Sequence, residues 1–212
     1  MAATTVFLTR HGQTEWNVQN RMQGHLDSAL TPLGVLQAKW LNKGLRQEQL
    51  DVIYTSVSPR ALRTAEIVRG ERNVPLIPCD EFKEISMGYW EGRDSAEIQA
   101  QDPEQHRYFW EDPEKFGVEG SETFAGVQKR ALGKLREIVD GHEGQNILIV
   151  THTVVIKVLM AYFEERAMNK LWELPYIYPT CLCKLEFTDG KAEILLHGDT
   201  SHYEDDEAWM ES

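Results

Sequence analysis

The chain is short of cysteine, of long apolar runs and of positive charge, and each shortage removes a class of protein. Three cysteines among 212 residues make no disulfide framework. Cys181 and Cys183 fall on one face of a predicted strand and Cys79 stands alone. All three read as buried free thiols of a reducing compartment, which places the protein in the cytoplasm. No stretch approaches the ~20 apolar residues of a membrane span, and residues 1–10 lack the basic start and long apolar run of a secretory leader. Twenty-two basic residues face 34 acidic ones, a net charge of −12, so nucleic-acid binding has no electrostatic footing. Five of the acids lie in residues 204–212, which read as a solvated tail after a single domain over 1–203. No HxH or HxxxH spacing with nearby carboxylates occurs, so neither a metal nor a cofactor is expected.

What is present is a regular alternation of strand and helix signals. A β-branched, apolar run at Thr4–Thr9 stops at Arg10-His11-Gly12. Thr31-Pro32 gives an N-cap and a first-turn proline, and Leu33, Leu36, Trp40, Leu41 and Leu45 follow as an apolar stripe. Asp51–Ser56 reads as a second strand, and Ser58-Pro59 opens a helix whose first turn holds Arg60. A short third strand is predicted at 74–78. An aromatic-rich insert over about 81–120 carries two short helices, beginning near Asp94 and Pro103. A long amphipathic helix from Ser121, a buried strand at Ile147–Thr151 ending at His152, and a helix over 154–163 come next. The chain then makes a hairpin, 181–188 and 191–197, joined by Asp189-Gly190. This pattern predicts an α/β fold, a sandwich on a mostly parallel sheet with an antiparallel edge.

In such sheets ligands gather at the carboxyl ends of the strands. Three strands deliver Arg10-His11, the Ser58-Pro59-Arg60 turn and Thr151-His152 to one rim. A phosphate monoester dianion suits that rim, because the two arginines offer permanently charged forks and Arg60 sits in a helix first turn. Neutral His11 can attack phosphorus, and its phosphoramidate can pass the group onward. His152 can donate to the phosphoryl oxygens, and Glu84 is a candidate acid for the leaving alkoxide. Taken singly each has a structural reading: a loop tripeptide, a satisfied buried histidine, one acid among many.

The wider string decides between these readings. Arg10-His11-Gly12-Gln13-Thr14-Glu15-Trp16-Asn17 is followed by Arg21-Met22-Gln23-Gly24 and Leu30-Thr31-Pro32-Leu33-Gly34. Thr55-Ser56 with Arg60, Ala61, Thr64 and Ala65, then Glu84, Gly88 and Trp90-Glu91-Gly92, Gly120-Ser121-Glu122 and Val150-Thr151-His152 continue it. The ordered set resembles the histidine phosphatase superfamily, the phosphoglycerate mutase-like proteins, and within it the small bacterial broad-specificity phosphatases. The resemblance runs from Phe7 to about His202. It implies a three-layer α/β/α sandwich and metal-independent hydrolysis of small-molecule phosphate esters. It also implies His11 as nucleophile, Glu84 as proton donor, and Arg10, Arg60 and His152 as the phosphate pocket. Asn17 would touch the phosphoryl group, and Gln23 and Gly24 would border the substrate. Thr153 departs from the family's usual glycine and would narrow the rim.

Two alternatives stand beside phosphatase. A cofactor-dependent phosphoglycerate mutase would carry a lysine about a dozen residues after the acid, where this chain has Arg93-Asp94-Ser95. It would also carry an arginine pair in the insert, which here reads His106-Arg107-Tyr108-Phe109-Trp110. A non-catalytic regulatory domain that binds phosphorylated ligands would need neither His11 nor Glu84. The insert aromatics read equally as core or as cover for an apolar substrate body.

Overall fold

A computed structural model describes residues 2–204. Six strands form one sheet: β1 (Thr4–Arg10), β2 (Val52–Ser56), β3 (Leu76–Cys79), β4 (Asn146–Thr151), β5 (Leu182–Thr188) and β6 (Lys191–Asp199), in the order β3-β2-β4-β1-β5-β6. The first four are parallel, and β5 runs antiparallel to β1 and to β6. The predicted α/β sandwich with an antiparallel edge is therefore the fold found. The helices are α1 (Glu15–Val18), α2 (Pro32–Gly44), α3 (Pro59–Arg69), α4 (Ser95–Gln101), α5 (Pro103–Glu111), α6 (Phe124–Gly141) and α7 (Thr153–Phe163).

Alternation along the strands builds two cores. Phe7, Ile53, Leu148 and Val150 face Ala38, Leu41, Ala61, Ala65 and Val68 of α2 and α3. Val6, Leu8, Ile147 and Ile149 face the opposite layer, with Val127, Leu135, Val155 and Leu159 of α6 and α7. Each such fully buried aliphatic side chain contributes about 1.5–3 kcal/mol. The insert joins this second core through Phe82, Trp90, Ile98, Phe109 and Phe116.

Caps set the helix starts. Thr31 accepts from Gly34 N–H at 3.0 Å and Thr123 from Gly126 N–H at 3.1 Å, so α6 begins three residues later than its sequence signal. The one-turn α1 was not foreseen; Thr14 and Asn17 close it as a reciprocal capping box. Of the predicted acidic tail only Glu204 is described, ion-paired with Lys43; the rest lies outside the described residues. Among the described residues no helix is long and apolar enough to cross a membrane.

The topology creates the crevice. β1 and β4 are parallel neighbours, with Arg10 opposite Thr151. After β1 the chain passes to the α2–α3 face, and after β4 it passes to the α6–α7 face. Their carboxyl ends therefore diverge at a switch point, where open α/β sheets place ligands.

Candidate active site

His11 follows β1 and is pinned by its own backbone N–H, which donates to Thr151 O at 3.0 Å. Its ring is buried; Nδ1 lies 2.8 Å from Gly12 O, and Nε2 lies 3.3 Å from Arg60 Nε. Gly12 O can only accept, so Nδ1 carries the proton and Nε2 keeps its lone pair. Burial, then Arg60 and Arg10, push the His11 pKa well below the usual 6.5, outweighing the Gly12 bond. The ring is therefore a neutral, correctly oriented nucleophile at neutral pH.

Arg60 sits in the first turn of α3 and is 2% exposed. Its remaining donors reach Leu26 O and Asp27 Oδ1, both at 2.8 Å, Gly24 O at 2.9 Å and His152 Nδ1 at 3.2 Å. Arg10, at the end of β1, gives Nη1 to Ile177 O at 3.0 Å, and its buried Nε–H has no protein acceptor. A buried guanidinium N–H without an acceptor, on a residue that lines a cavity, is suited to an anion's oxygen.

Glu84 is placed by irregular backbone after β3. Its Oε1 accepts from Ile85 N–H at 3.0 Å and its Oε2 from Val154 N–H at 3.2 Å. Burial raises its pKa above the usual carboxyl value, although both backbone bonds, Arg60 and Arg10 pull the other way.

Arg10, His11, Asn17, Gln23, Gly24, Arg60, Glu84 and Thr153 line one cavity of about 350 Å³. A neutral histidine whose unprotonated Nε2 accepts from Arg60, two arginines and a carboxyl raised towards protonation thus share a single concave site. A family model for the histidine phosphatase superfamily (branch 1) matches residues 6–200. The chain belongs to the histidine phosphatase superfamily.

The superfamily's solved structures and curated members agree with that placement. Bacillus stearothermophilus YhfR superposes with a TM-score of 0.92 at 46% identity, covering 94% of this chain and 98% of that one. Phosphoserine phosphatase 1 of Hydrogenobacter thermophilus is 35% identical over 167 residues, 79% of each chain. An Entamoeba histolytica phosphoserine phosphatase mutant, solved with phosphoserine, matches with a TM-score of 0.81 at 29% identity over 94% and 98% of the two chains.

His152 is fully buried, its ring 5.2 Å from that of His11. Nδ1 accepts from Arg60 and Nε2 lies 2.8 Å from Ser56 Oγ, so both nitrogens have protein partners in this structure. Asn17 is also engaged: its Oδ1 accepts from Thr14 N–H and from Thr14 Oγ1, both at 3.0 Å, and the residue lines the cavity.

Sequence reasoning missed the far wall. Lys157 of α7 lines the cavity with Trp172, Tyr176 and Ile177 of the segment between α7 and β5, and Arg21 lines it from the loop after α1. Only Lys157 had a readable signal, one helical turn past Thr153 on the same face. One of the insert aromatics belongs both to the core and to the cavity lining. Phe109 is buried against Trp90, Phe116 and Phe124, and it lines the cavity together with Trp110.

Proposed function

We propose that the protein hydrolyses phosphate monoesters of small molecules by two displacements through a phosphohistidine on His11. The observation that carries this reading is the pairing of a neutral His11, its Nε2 lone pair facing Arg60, with a Glu84 carboxyl raised towards protonation in the same cavity. Nε2 attacks phosphorus, the ester P–O bond breaks, and the leaving oxygen takes the Glu84 proton. Water then attacks the phosphohistidine, Glu84 takes the water's proton, and free phosphate leaves with the His11–P bond broken. Arg10 and Arg60 neutralise the equatorial oxygens, charge that a metal supplies in other phosphatases.

The apolar walls, Trp16, Met22, Phe109, Trp110 and Trp172, favour an ester with an apolar or aromatic body. A mutase needs free cations for a second anionic group. Here Lys157 spends two donors on Glu173 O and Pro175 O, and Arg21 donates to Gly92 O. These engagements favour phosphatase over mutase.

The decisive experiment is a rapid quench after mixing with ³²P-labelled ester. The expected label survives alkali, is lost in acid and maps to His11, and His11→Ala abolishes both label and turnover. Label on serine or aspartate overturns the reading.

A further inference from the structure

Glu84 stands near the start of the insert, on backbone that belongs to no strand or α-helix. Such a segment fixes a side chain only if something outside it fixes the segment. Arg130, on the second turn of α6, meets that need. Its Nη1 donates to Glu81 O at 2.7 Å and Lys83 O at 2.8 Å, and its Nη2 donates to Glu84 O at 3.1 Å. Nε and Nη2 each donate to Glu122, at 2.9 Å to Oε1 and 2.9 Å to Oε2. All five guanidinium N–H groups are thereby used, three of them on carbonyls within four residues of chain.

Glu122 closes the clamp on the other side of Glu84, accepting from Ser86 N–H at 2.9 Å. The His25 ring places Nε2 3.0 Å from the same Glu84 carbonyl. Burial tends to raise the Glu122 pKa, but Arg130 and the Ser86 N–H outweigh it, so the carboxyl stays ionised and paired. Arg130 does not line the cavity, and its charge is met by Glu122.

We propose that Arg130, braced by Glu122, is a positioning residue that holds residues 81–86 so that the Glu84 carboxyl meets the leaving oxygen. This rests on the reading of Glu84 as proton donor. Without the clamp the Glu81 and Lys83 carbonyls lose their side-chain donor and Glu84 O keeps only His25, so the segment relaxes and the carboxyl moves. An ångström of misplacement can cost on the order of 10²-fold, and the loss falls on the step that needs the proton. Lysine can satisfy one or two of the carbonyls but lacks the fork that spans all three and Glu122.

The test measures kcat/KM for an alkyl phosphate and for p-nitrophenyl phosphate, whose leaving group departs without a proton, across pH. The proteins are wild type, Arg130→Met, Arg130→Lys, Glu122→Gln and Glu84→Gln, each with a thermal melt. Arg130→Met is expected to lose on the order of tenfold to 10²-fold on the alkyl ester while p-nitrophenyl phosphate is largely spared. Arg130→Lys should fall between, and Arg130→Met should add no further selective loss in a Glu84→Gln background. If Arg130→Met does not fold, Arg130→Lys and Glu122→Gln must show the same selectivity in smaller degree. Equal losses on both esters in the folded Arg130 and Glu122 variants, with Glu84→Gln selective, overturn the role of Arg130 alone. Equal losses in Glu84→Gln itself remove the proton-donor reading, and the clamp's role with it.

Discussion

Nε2 of His11 and Nε of Arg60 lie 3.3 Å apart, joined by an N–H that points at the nucleophilic lone pair. The same guanidinium holds Leu26 O, Asp27, Gly24 O and His152, so all its donors are occupied inside the protein. A phosphate entering the cavity offers a charged acceptor in place of a neutral imidazole nitrogen, and a charge-assisted bond is roughly twice as strong. Under the proposed mechanism, substrate binding should draw that N–H from His11 to a phosphoryl oxygen and release the lone pair for attack.

The first prediction concerns acid. Since burial and two arginines depress the His11 pKa, the nucleophile stays unprotonated well below pH 6.5. The acid limb of kcat/KM assigned to the free enzyme's histidine should lie clearly under that value. His11 and His152 also carry a stability consequence. Both are held neutral in the fold, so the unfolded chain binds more protons below its own pKa near 6.5. Their contribution is complete above pH 6.5 and is lost as pH falls below it. Melting curves at stepped pH should decline more steeply in wild type than in a His11→Ala, His152→Ala double variant. An acid limb at or above 6.5 would contradict the electrostatics of the site.

The second concerns Arg60. Arg60→Ala should cost on the order of 10²–10³ in rate, as for a key oxyanion donor. Arg60→Lys should recover little, because a point charge cannot span Gly24 O, Leu26 O and the phosphate together. Exhaustive EDTA treatment should leave the wild-type rate unchanged, since guanidinium groups supply the charge. A neutral effect of Arg60→Ala, or activity restored by one specific metal after chelation, would refute this assignment.

Much of this site was legible in the sequence because its residues follow strand ends. A run such as Thr4–Thr9 breaking at Arg10-His11 fixes where the side chains emerge, and parallel pairing brings two such ends together. Thr31 with Pro32, and Pro59, marked helix starts for the same local reason, whereas the cap that starts α6 is Thr123, two residues beyond the Ser121 signal. What stayed hidden depends on long-range packing. The route of His152 to Arg60 and Ser56 needs β2, β4 and α3 assembled. The wall of Trp172, Tyr176 and Ile177 comes from a segment with no periodicity to read. The clamp of Arg130 on Glu81, Lys83 and Glu84 acts through carbonyls, which carry no sequence signature at all.

The third prediction concerns Gly12. A Cβ there would sit 2.3 Å from Gly34 O, a backbone atom of the α2 first turn that cannot swing away. Gly12→Ala must push the nucleophile loop off α2, at a cost of about 1–3 kcal/mol of stability. It should also lower turnover, since Gly12 O orients the His11 ring. Gly133→Ala, in α6 with nothing within 4 Å of its Cβ position, is the control and should gain about 0.5–1 kcal/mol. Denaturant melts of the two variants should move in opposite directions. A shift of the same sign would mean that the contact with Gly34 relaxes freely.

The last prediction concerns the protonation of Glu84. Burial raises this carboxyl even though Ile85 N–H, Val154 N–H and both arginines favour its anion. A bound phosphate dianion cancels much of the arginines' pull, so the value in the reactive complex should lie higher than in the free enzyme. A raised pKa keeps the acid form present below it and removes that form as pH climbs through it. The kcat for an alkyl phosphate should therefore fall on the alkaline side. The kcat for p-nitrophenyl phosphate should be flatter there, because its leaving group needs no proton. Glu84→Gln holds no titratable proton, yet its amide oxygen can still accept one backbone bond. In that variant the alkaline limb should vanish and the alkyl rate should be uniformly low. The measurement is kcat against pH for both esters in both proteins. An alkaline limb that persists in Glu84→Gln would move the proton donor to another residue.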